Sequence, residues 1–243
     1  MVDVALTPAQ TRPTDIAVVI DVLRATSTAT QALAAGYRRV LCTDSIERAL
    51  SLRGPGRVLA GERHNVMPPG FDQGNSPREA AVTRGEELVL ATTNGAPAVT
   101  SAALQARIAV LACMLNLDAV LETLLGHAGA DIQIVCSGTD GGAALEDAYV
   151  AGRISGALSG ERSDAALIAE AVARAHPGPL AAFAGSEDAR ALTRAGLDED
   201  IAYCAQASLL DVVPVATFAD RGVASVTRAG TGAATIDTIP AGS

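Results

Sequence analysis

The 243-residue sequence contains no lysine and no tryptophan, and only 2% of its residues are aromatic. Without lysine, the chain has no residue for Schiff-base chemistry, for a pyridoxal phosphate linkage or for a Walker-A phosphate loop. Any basic side chain that contacts an anion is therefore arginine or histidine, and the planar arginine fork suits phosphate and sulfonate. The scarcity of aromatics and the net charge of −9 argue against a nucleic-acid partner.

Cysteine pairs and long apolar runs are also missing. The four cysteines form no C-x-x-C pair and have no zinc-ligand spacing. Residues 1–15 have neither the basic nor the apolar region of a signal peptide, and no apolar run reaches the length of a membrane span. We therefore expect a cytoplasmic protein with no membrane partner, and the Ala-rich helices would be compatible with a homodimer.

Strand-like and helix-like segments alternate through most of the chain, which predicts a parallel sheet covered by helices. The apolar runs that predict strands are 16–20, 38–43, 57–61, 87–95, 107–115 and 131–136. The expected fold class is α/β, a three-layer α/β/α arrangement with a mostly parallel central sheet. We treat residues 1–243 as one α/β domain, with a candidate boundary between two lobes at 175–187.

The C-terminal part of the sequence carries weaker signals. Residues 212–217 contain Pro214, which would interrupt a central ladder, so we predict an edge strand there. The tail 228–243 is rich in Gly, Thr and Ala and is predicted to be mobile at its end.

The first polar cluster directly follows the apolar run 16–20. Ligands of α/β sheets bind outside the carboxyl ends of strands, where Asp21 can hold a metal or act as a nucleophile. Arg24 lies in the connecting loop. Thr26, Ser27 and Thr28 begin the next helix, whose free N–H groups favour anions, although helix capping explains the hydroxyls equally well.

Two further clusters flank a long irregular segment. Glu62 and Arg63 follow the run 57–61, and the loop from there to the next helix exceeds the usual length of about 12 residues, which favours a function. The end of that loop supplies the candidate anion-binding residues Asp72, Gly74, Asn75 and Ser76. Because Ser76 opens a capping box, its hydroxyl also has a purely structural explanation.

The last two clusters lie at the end of the run 87–95 and after the run 131–136. Thr92, Thr93, Asn94 and Gly95 precede a helix and form a candidate neutral anion cradle, or an ordinary strand-to-helix turn. Asp147 belongs to an acidic pair near the start of a helix, where dipole compensation is the alternative explanation.

Several of these segments together resemble one known family, the 2-phosphosulfolactate phosphatases. The motifs that carry the resemblance are D-V-L-R-A-T-S-T (21–28), G-E-R (61–63), G-F-D-x-G-N-S-P-x-E (70–79), T-T-N-G (92–95), C-S-G-T-x-G (136–141) and E-D-A-Y-V-A-G (146–152). They occur in the family's order, and the run 198–205 is similar to the family as well.

The resemblance implies a magnesium-dependent phosphatase that hydrolyses (R)-2-phospho-3-sulfolactate to 3-sulfolactate and phosphate, a step towards coenzyme M. On this hypothesis Asp21 and Glu62 hold Mg²⁺ with Asp72 or Asp147, and Arg24 and Arg63 clamp the phosphate and the sulfonate. The nucleophile is water or Asp21. The alternatives are a phosphatase of another phosphorylated hydroxy acid and a non-catalytic binder of small sulfonates or phosphates.

Overall fold

The computed structural model describes residues 1–220 and 222–230, so most of the predicted mobile tail lies outside the described residues. The strands are β1 (Val2–Ala5), β2 (Thr14–Ile20), β3 (Arg39–Thr43), β4 (Arg57–Gly61), β5 (Glu87–Ala91), β6 (Ala106–Ala112), β7 (Ile132–Cys136), β8 (Pro214–Asp220) and β9 (Val223–Arg228). The α-helices are α1 (Ala25–Ala35), α2 (Ile46–Ser51), α3 (Pro77–Ala80), α4 (Gly95–Gln105), α5 (Leu117–Leu125), α6 (Leu145–Ala157), α7 (Asp164–Ala175), α8 (Pro179–Ala184), α9 (Glu187–Arg194) and α10 (Asp198–Cys204).

One sheet joins these strands in the order β1-β7-β2-β6-β8-β9-β3-β5-β4. Pairing is parallel within β1-β7-β2-β6 and within β3-β5-β4. The hairpin β8-β9 lies between these two groups and pairs antiparallel with both neighbours, β6 and β3. The two parallel groups therefore run in opposite directions, and the prediction of a mostly parallel α/β sheet is confirmed.

The predicted edge position of residues 212–217 is wrong, because β8 is the fifth of the nine strands that the described residues form. Pro214 is tolerated there because it is the first residue of the strand, where a missing N–H interrupts no ladder. Pairing with β6 uses Val215 and Ala216 instead. Asn116, which is fully buried, connects the two strands, since its Nδ2 donates to the carbonyl of Val212 at 2.9 Å and to the end of β6.

Alternation along the strands divides the core into two main layers. Ile16, Val18 and Ile20 of β2 face a cluster that includes α5, α6 and α7, whereas Ala17 and Val19 face α1 and α4. A smaller cluster lies beneath α2. Helices thus cover both faces of the sheet, as the sequence predicts. Strands β1 and β9 and helices α8 and α10 lie in segments for which the sequence predicts neither a strand nor a helix.

The sheet must bend sharply to form the pocket described below. In a flat sheet β2 and β4, six strand spacings apart, would be separated by about 30 Å. Residues 92–95 nevertheless connect the end of β5 to the end of β2, because Gly95 lies directly against Asp21. None of the helices within the described ranges is both long and apolar enough to cross a bilayer.

Candidate active site

A pocket of about 400 Å³ lies where the carboxyl ends of four strands meet. The lining residues are Asp21, Leu23 and Arg24 after β2, Glu62, His64, Asn65 and Asn75 after β4, Thr93 and Asn94 after β5, Thr139 and Asp140 after β7, and Asp188, Ala191, Arg194 and Ala195 on or next to α9. The pocket therefore takes its walls from both parallel groups of the sheet, as well as from a helix that follows them in the chain.

Asp21 is held rigidly at the end of β2. Its Oδ1 accepts the N–H of Ala25 at 2.9 Å, and its own backbone is bonded to Thr26 in both directions. Gly95 approaches so closely that a Cβ there would lie 2.3 Å from the Asp21 Oδ2 atom. The carboxylate is thus confined between two helix N-termini, and only glycine fits at position 95.

The electrostatic environment of Asp21 is strongly negative. Burial raises the pKa of Asp21 to about 7, and the negative charges of Asp188 and Glu62 act in the same direction. The Ala25 N–H bond opposes this shift of the pKa. A cation next to Asp21 would therefore stabilise its ionised form at neutral pH.

Glu62 joins two of the loops that line the pocket. Its Oε1 accepts the N–H of Thr93 at 2.9 Å, and its Oε2 accepts the N–H of Asn65 at 3.1 Å. His64 and Asn65 both adopt the left-handed region, with φ of 51° and 64°, which turns this N–H towards the carboxylate. Glu62 consequently fixes the loop after β5 against the loop after β4.

Arg24 lines the pocket and forms a buried ion pair. Its Nη1 donates to Asp200 of α10 at 2.8 Å, and both side chains are almost fully buried. Asp200 also accepts from the Ser76 hydroxyl at 2.7 Å, and Arg24 Nη2 donates to Asn65 at 3.4 Å. The carboxylate therefore orients Arg24, and Asp200 is a positioning residue that no local signal in the sequence marks.

Asp188 is a further carboxylate that the sequence did not single out. It accepts from the Thr139 hydroxyl at 2.6 Å, and its charge acts on the nearby buried carboxyl of Glu146. Burial, together with the charges of Asp147 and Asp188, raises the pKa of Glu146 to about 10, so this carboxyl is protonated at neutral pH. In the sequence, Asp188 is indistinguishable from an acidic residue that compensates a helix dipole, so no local signal marks it.

Asp147 lies behind the pocket wall instead of in it. Its Oδ1 accepts the N–H of Val22 at 3.0 Å, while its Oδ2 accepts from the Ser137 hydroxyl and the Gly138 N–H. Burial and the charge of Asp21 raise the pKa of Asp147 well above its ordinary value. Because both oxygens serve these bonds, the residue connects the loops after β2 and β7.

Arg63 and Asp72 also point away from the pocket. The guanidinium of Arg63 donates to the carbonyl of Glu62 at 2.8 Å and to the carbonyl of Asp44. Asp72 accepts the N–H of Leu59 at 2.8 Å and is paired with Arg53. Both residues therefore stabilise the long loop after β4, a role that their position in the sequence does not reveal.

Most of the hydroxyl groups that the sequence predicts as anion contacts lie instead in helices or at their starts. Thr26 and Ser27 donate to carbonyls at the end of β2, and Thr92 accepts the N–H of Ala96 in the first turn of α4. Thr28 is fully buried in α1, whereas Ser76 caps α3. None of these five residues belongs to the pocket lining.

The loop residues Asn75, Thr93 and Asn94 do line the pocket. The Oδ1 atom of Asn75 and the Oγ1 atom of Thr93 are buried without a hydrogen-bond partner among the described residues. The N–H of Gly74 donates to Glu79 and belongs to the start of α3. Two polar atoms are therefore free to contact a ligand.

The donor set fits a magnesium ion held partly by water and substrate. Across residues 1–220 and 222–230, no three Asp, Glu, His or Cys side chains are grouped to enclose a metal. Mg²⁺ characteristically binds one or two carboxylates, several waters and substrate phosphate oxygens. Asp21 and Glu62 line the pocket and could supply the two carboxylates, whereas Asp147 is not part of the pocket lining.

Comparison with known proteins gives a consistent match. Residues 2–218 match the family model described as 2-phosphosulpholactate phosphatase. A Thermus thermophilus protein named "Probable 2-phosphosulfolactate phosphatase" is 41% identical over 207 residues, covering 83% of this chain and 87% of the relative. A Deinococcus radiodurans protein of the same name is 40% identical over 222 residues, covering 88% and 92%.

Proposed function

The chain is an enzyme of the 2-phosphosulpholactate phosphatase family, and from this premise we propose that it hydrolyses (R)-2-phospho-3-sulfolactate in a magnesium-dependent reaction. The products are 3-sulfolactate and phosphate, in a step towards coenzyme M. The observation that supports the proposal best is the union of Asp21, Glu62 and Arg24 in one pocket at the strand ends.

This arrangement explains why a metal would be needed. A phosphorylated acid that enters the pocket meets Asp21, Glu62 and Asp188, whose negative charges repel it. Mg²⁺ held by Asp21 and Glu62 would neutralise these charges and polarise the phosphoryl oxygens. The absence of lysine leaves arginine and backbone N–H groups as the remaining strong donors.

The protein's own groups orient the phosphate. Arg24, held by Asp200, presents its guanidinium to the pocket, and its fork suits two phosphoryl oxygens. The Thr93 hydroxyl is buried without a partner and can donate to another oxygen. These donors are positioned before the substrate binds, which is the arrangement that favours transition-state stabilisation.

In hydrolysis the bond between phosphorus and the lactate oxygen breaks, and that oxygen leaves with a proton. The new bond to phosphorus comes from water directly, or first from Asp21 and then from water attacking an aspartyl phosphate. Rapid acid quench of a single turnover separates the two routes, because only the covalent route leaves a phosphoryl group bound to Asp21.

The test is phosphate release from a panel of phosphorylated hydroxy acids, with and without EDTA. Asp21→Asn and Glu62→Gln should each lower kcat/KM by about a hundredfold or more, because each removes a charge that would bind the metal. The control is Glu86→Gln, an exposed carboxylate paired with Arg38. Normal EDTA-sensitive activity in both pocket variants would refute the proposed roles.

A second comparison separates the two predicted clamp residues. Arg24→Lys should lower kcat/KM strongly, because a point charge replaces a fork in the pocket. Arg63→Lys should have a much smaller effect on kcat/KM, since Arg63 contacts loop carbonyls only. Equal losses would mean that Arg63 reaches the substrate.

A further inference from the structure

One face of α9 forms a wall of the pocket. Asp188, Ala191 and Arg194 recur every three residues and all line the cavity, whereas Leu192 is buried in the core. The buried Ser186 caps the start of the helix with its hydroxyl. The face is thus part of a helix that is fixed both by packing and by its cap.

The start of this helix is also bonded to the acidic end of the pocket. Asp188 accepts from Thr139 at 2.6 Å, and its charge acts on the buried carboxyl of Glu146. Arg194 follows six residues later, which is about 9 Å further along the helix axis. The helix therefore places a positive charge at a distance from the carboxylates that would bind the metal.

Arg194 differs from the other arginine that lines the pocket. Arg24 is paired with the buried Asp200 at 2.8 Å. Arg194 is exposed, and its guanidinium makes no salt bridge or hydrogen bond with any residue that the structure describes. Its charge and its donors are therefore available to an anion in the pocket.

We propose that Arg194 binds the sulfonate of the substrate and so sets the preference of the enzyme for sulfonated over plain phosphorylated hydroxy acids. This inference rests on the proposed function, which places the phosphate at Arg24 and the metal-binding carboxylates. The sulfonate is carried by the carbon beyond the phosphorylated one, so it extends away from that end of the pocket. The arginine fork can donate to two sulfonate oxygens at once.

The kinetic test compares (R)-2-phospho-3-sulfolactate with (S)-2-phospholactate, which has the same arrangement around the phosphorylated carbon, keeps the carboxylate and lacks the sulfonate. Arg194→Gln should lower kcat/KM for the sulfonated substrate by about tenfold or more, mainly through KM, and change it less than about twofold for phospholactate. Arg190→Gln is the matched control, because Arg190 lies on the same helix and bonds to Gly185 and Glu187 instead.

Equal losses on the two substrates, or no loss, would overturn the inference. Isothermal titration calorimetry with 3-sulfolactate and with lactate distinguishes failure of the sulfonate-site inference from failure of the proposed function. If the unaltered enzyme releases no phosphate, the proposed function fails. Weaker binding of 3-sulfolactate, but not of lactate, to the Arg194→Gln protein would then still support the sulfonate site. Undiminished or absent binding of 3-sulfolactate would overturn it.

Discussion

Replacing Asp200 with asparagine keeps the shape of the side chain and removes the charge that balances Arg24. The two groups are 2.8 Å apart, and their side chains are 3% and 2% exposed. Removing one partner of a buried ion pair costs about 3–5 kcal/mol, because the other charge is left without compensation in a poorly solvated site. The asparagine oxygen still accepts one bond from Arg24 or Ser76, so we expect about 3 kcal/mol.

The free energy of unfolding can be measured by urea denaturation followed by far-UV circular dichroism. Glu199→Gln is the matched control, because Glu199 is the preceding residue and pairs with Arg78 on the surface. An exposed pair contributes about 0–1 kcal/mol, so the control should be nearly as stable as the unaltered protein. Similar losses in the two variants would refute the claim that burial determines the value of the Asp200 pair.

A double variant separates stability from activity. In Arg24→Met with Asp200→Leu both charges are replaced by apolar groups, so the free energy of unfolding should return to within about 1–2 kcal/mol of the unaltered value. Phosphate release should nevertheless be abolished, because the pocket has lost the guanidinium of Arg24. Recovery of activity together with stability would show that Arg24 has no direct role in the reaction.

Two other perturbations test the acidic end of the pocket. Gly95→Ala should lower kcat/KM for phosphate release by about tenfold or more, because the new Cβ displaces Asp21, while Gly54→Ala, with no atom within 4 Å, should leave it unchanged. Without metal, the melting temperature should fall from pH 5 to pH 8. Folding raises the pKa values of Asp21, Glu146 and Asp147, so these groups stabilise the folded state fully below their unfolded pKa of about 4. That stabilisation is lost as the pH rises through their folded-state pKa values. Mg²⁺ should raise the melting temperature more at pH 8 than at pH 5, and the opposite order would argue against ionised Asp21 as a ligand.

The sequence is informative where the signal is local. Apolar runs and helix caps lie within a few residues, so they predict β2, α1 and β4, and with them the strand-end positions of Asp21 and Glu62. The carboxyl ends of parallel strands are where ligands bind, and the pocket contains both residues. The absence of lysine excludes Schiff-base chemistry and a Walker-A phosphate loop without any knowledge of the fold.

The tertiary structure decides which polar groups actually face the pocket. Arg24 and Arg63 look alike in sequence, yet Arg24 pairs with a carboxylate 176 positions away while Arg63 turns to nearby carbonyls. Asp188 and Arg194 enter the pocket only because α9 packs against the loop after β7. Side-chain direction and long-range ion pairs depend on how the sheet bends and which helices meet, and no local pattern of residues carries that information.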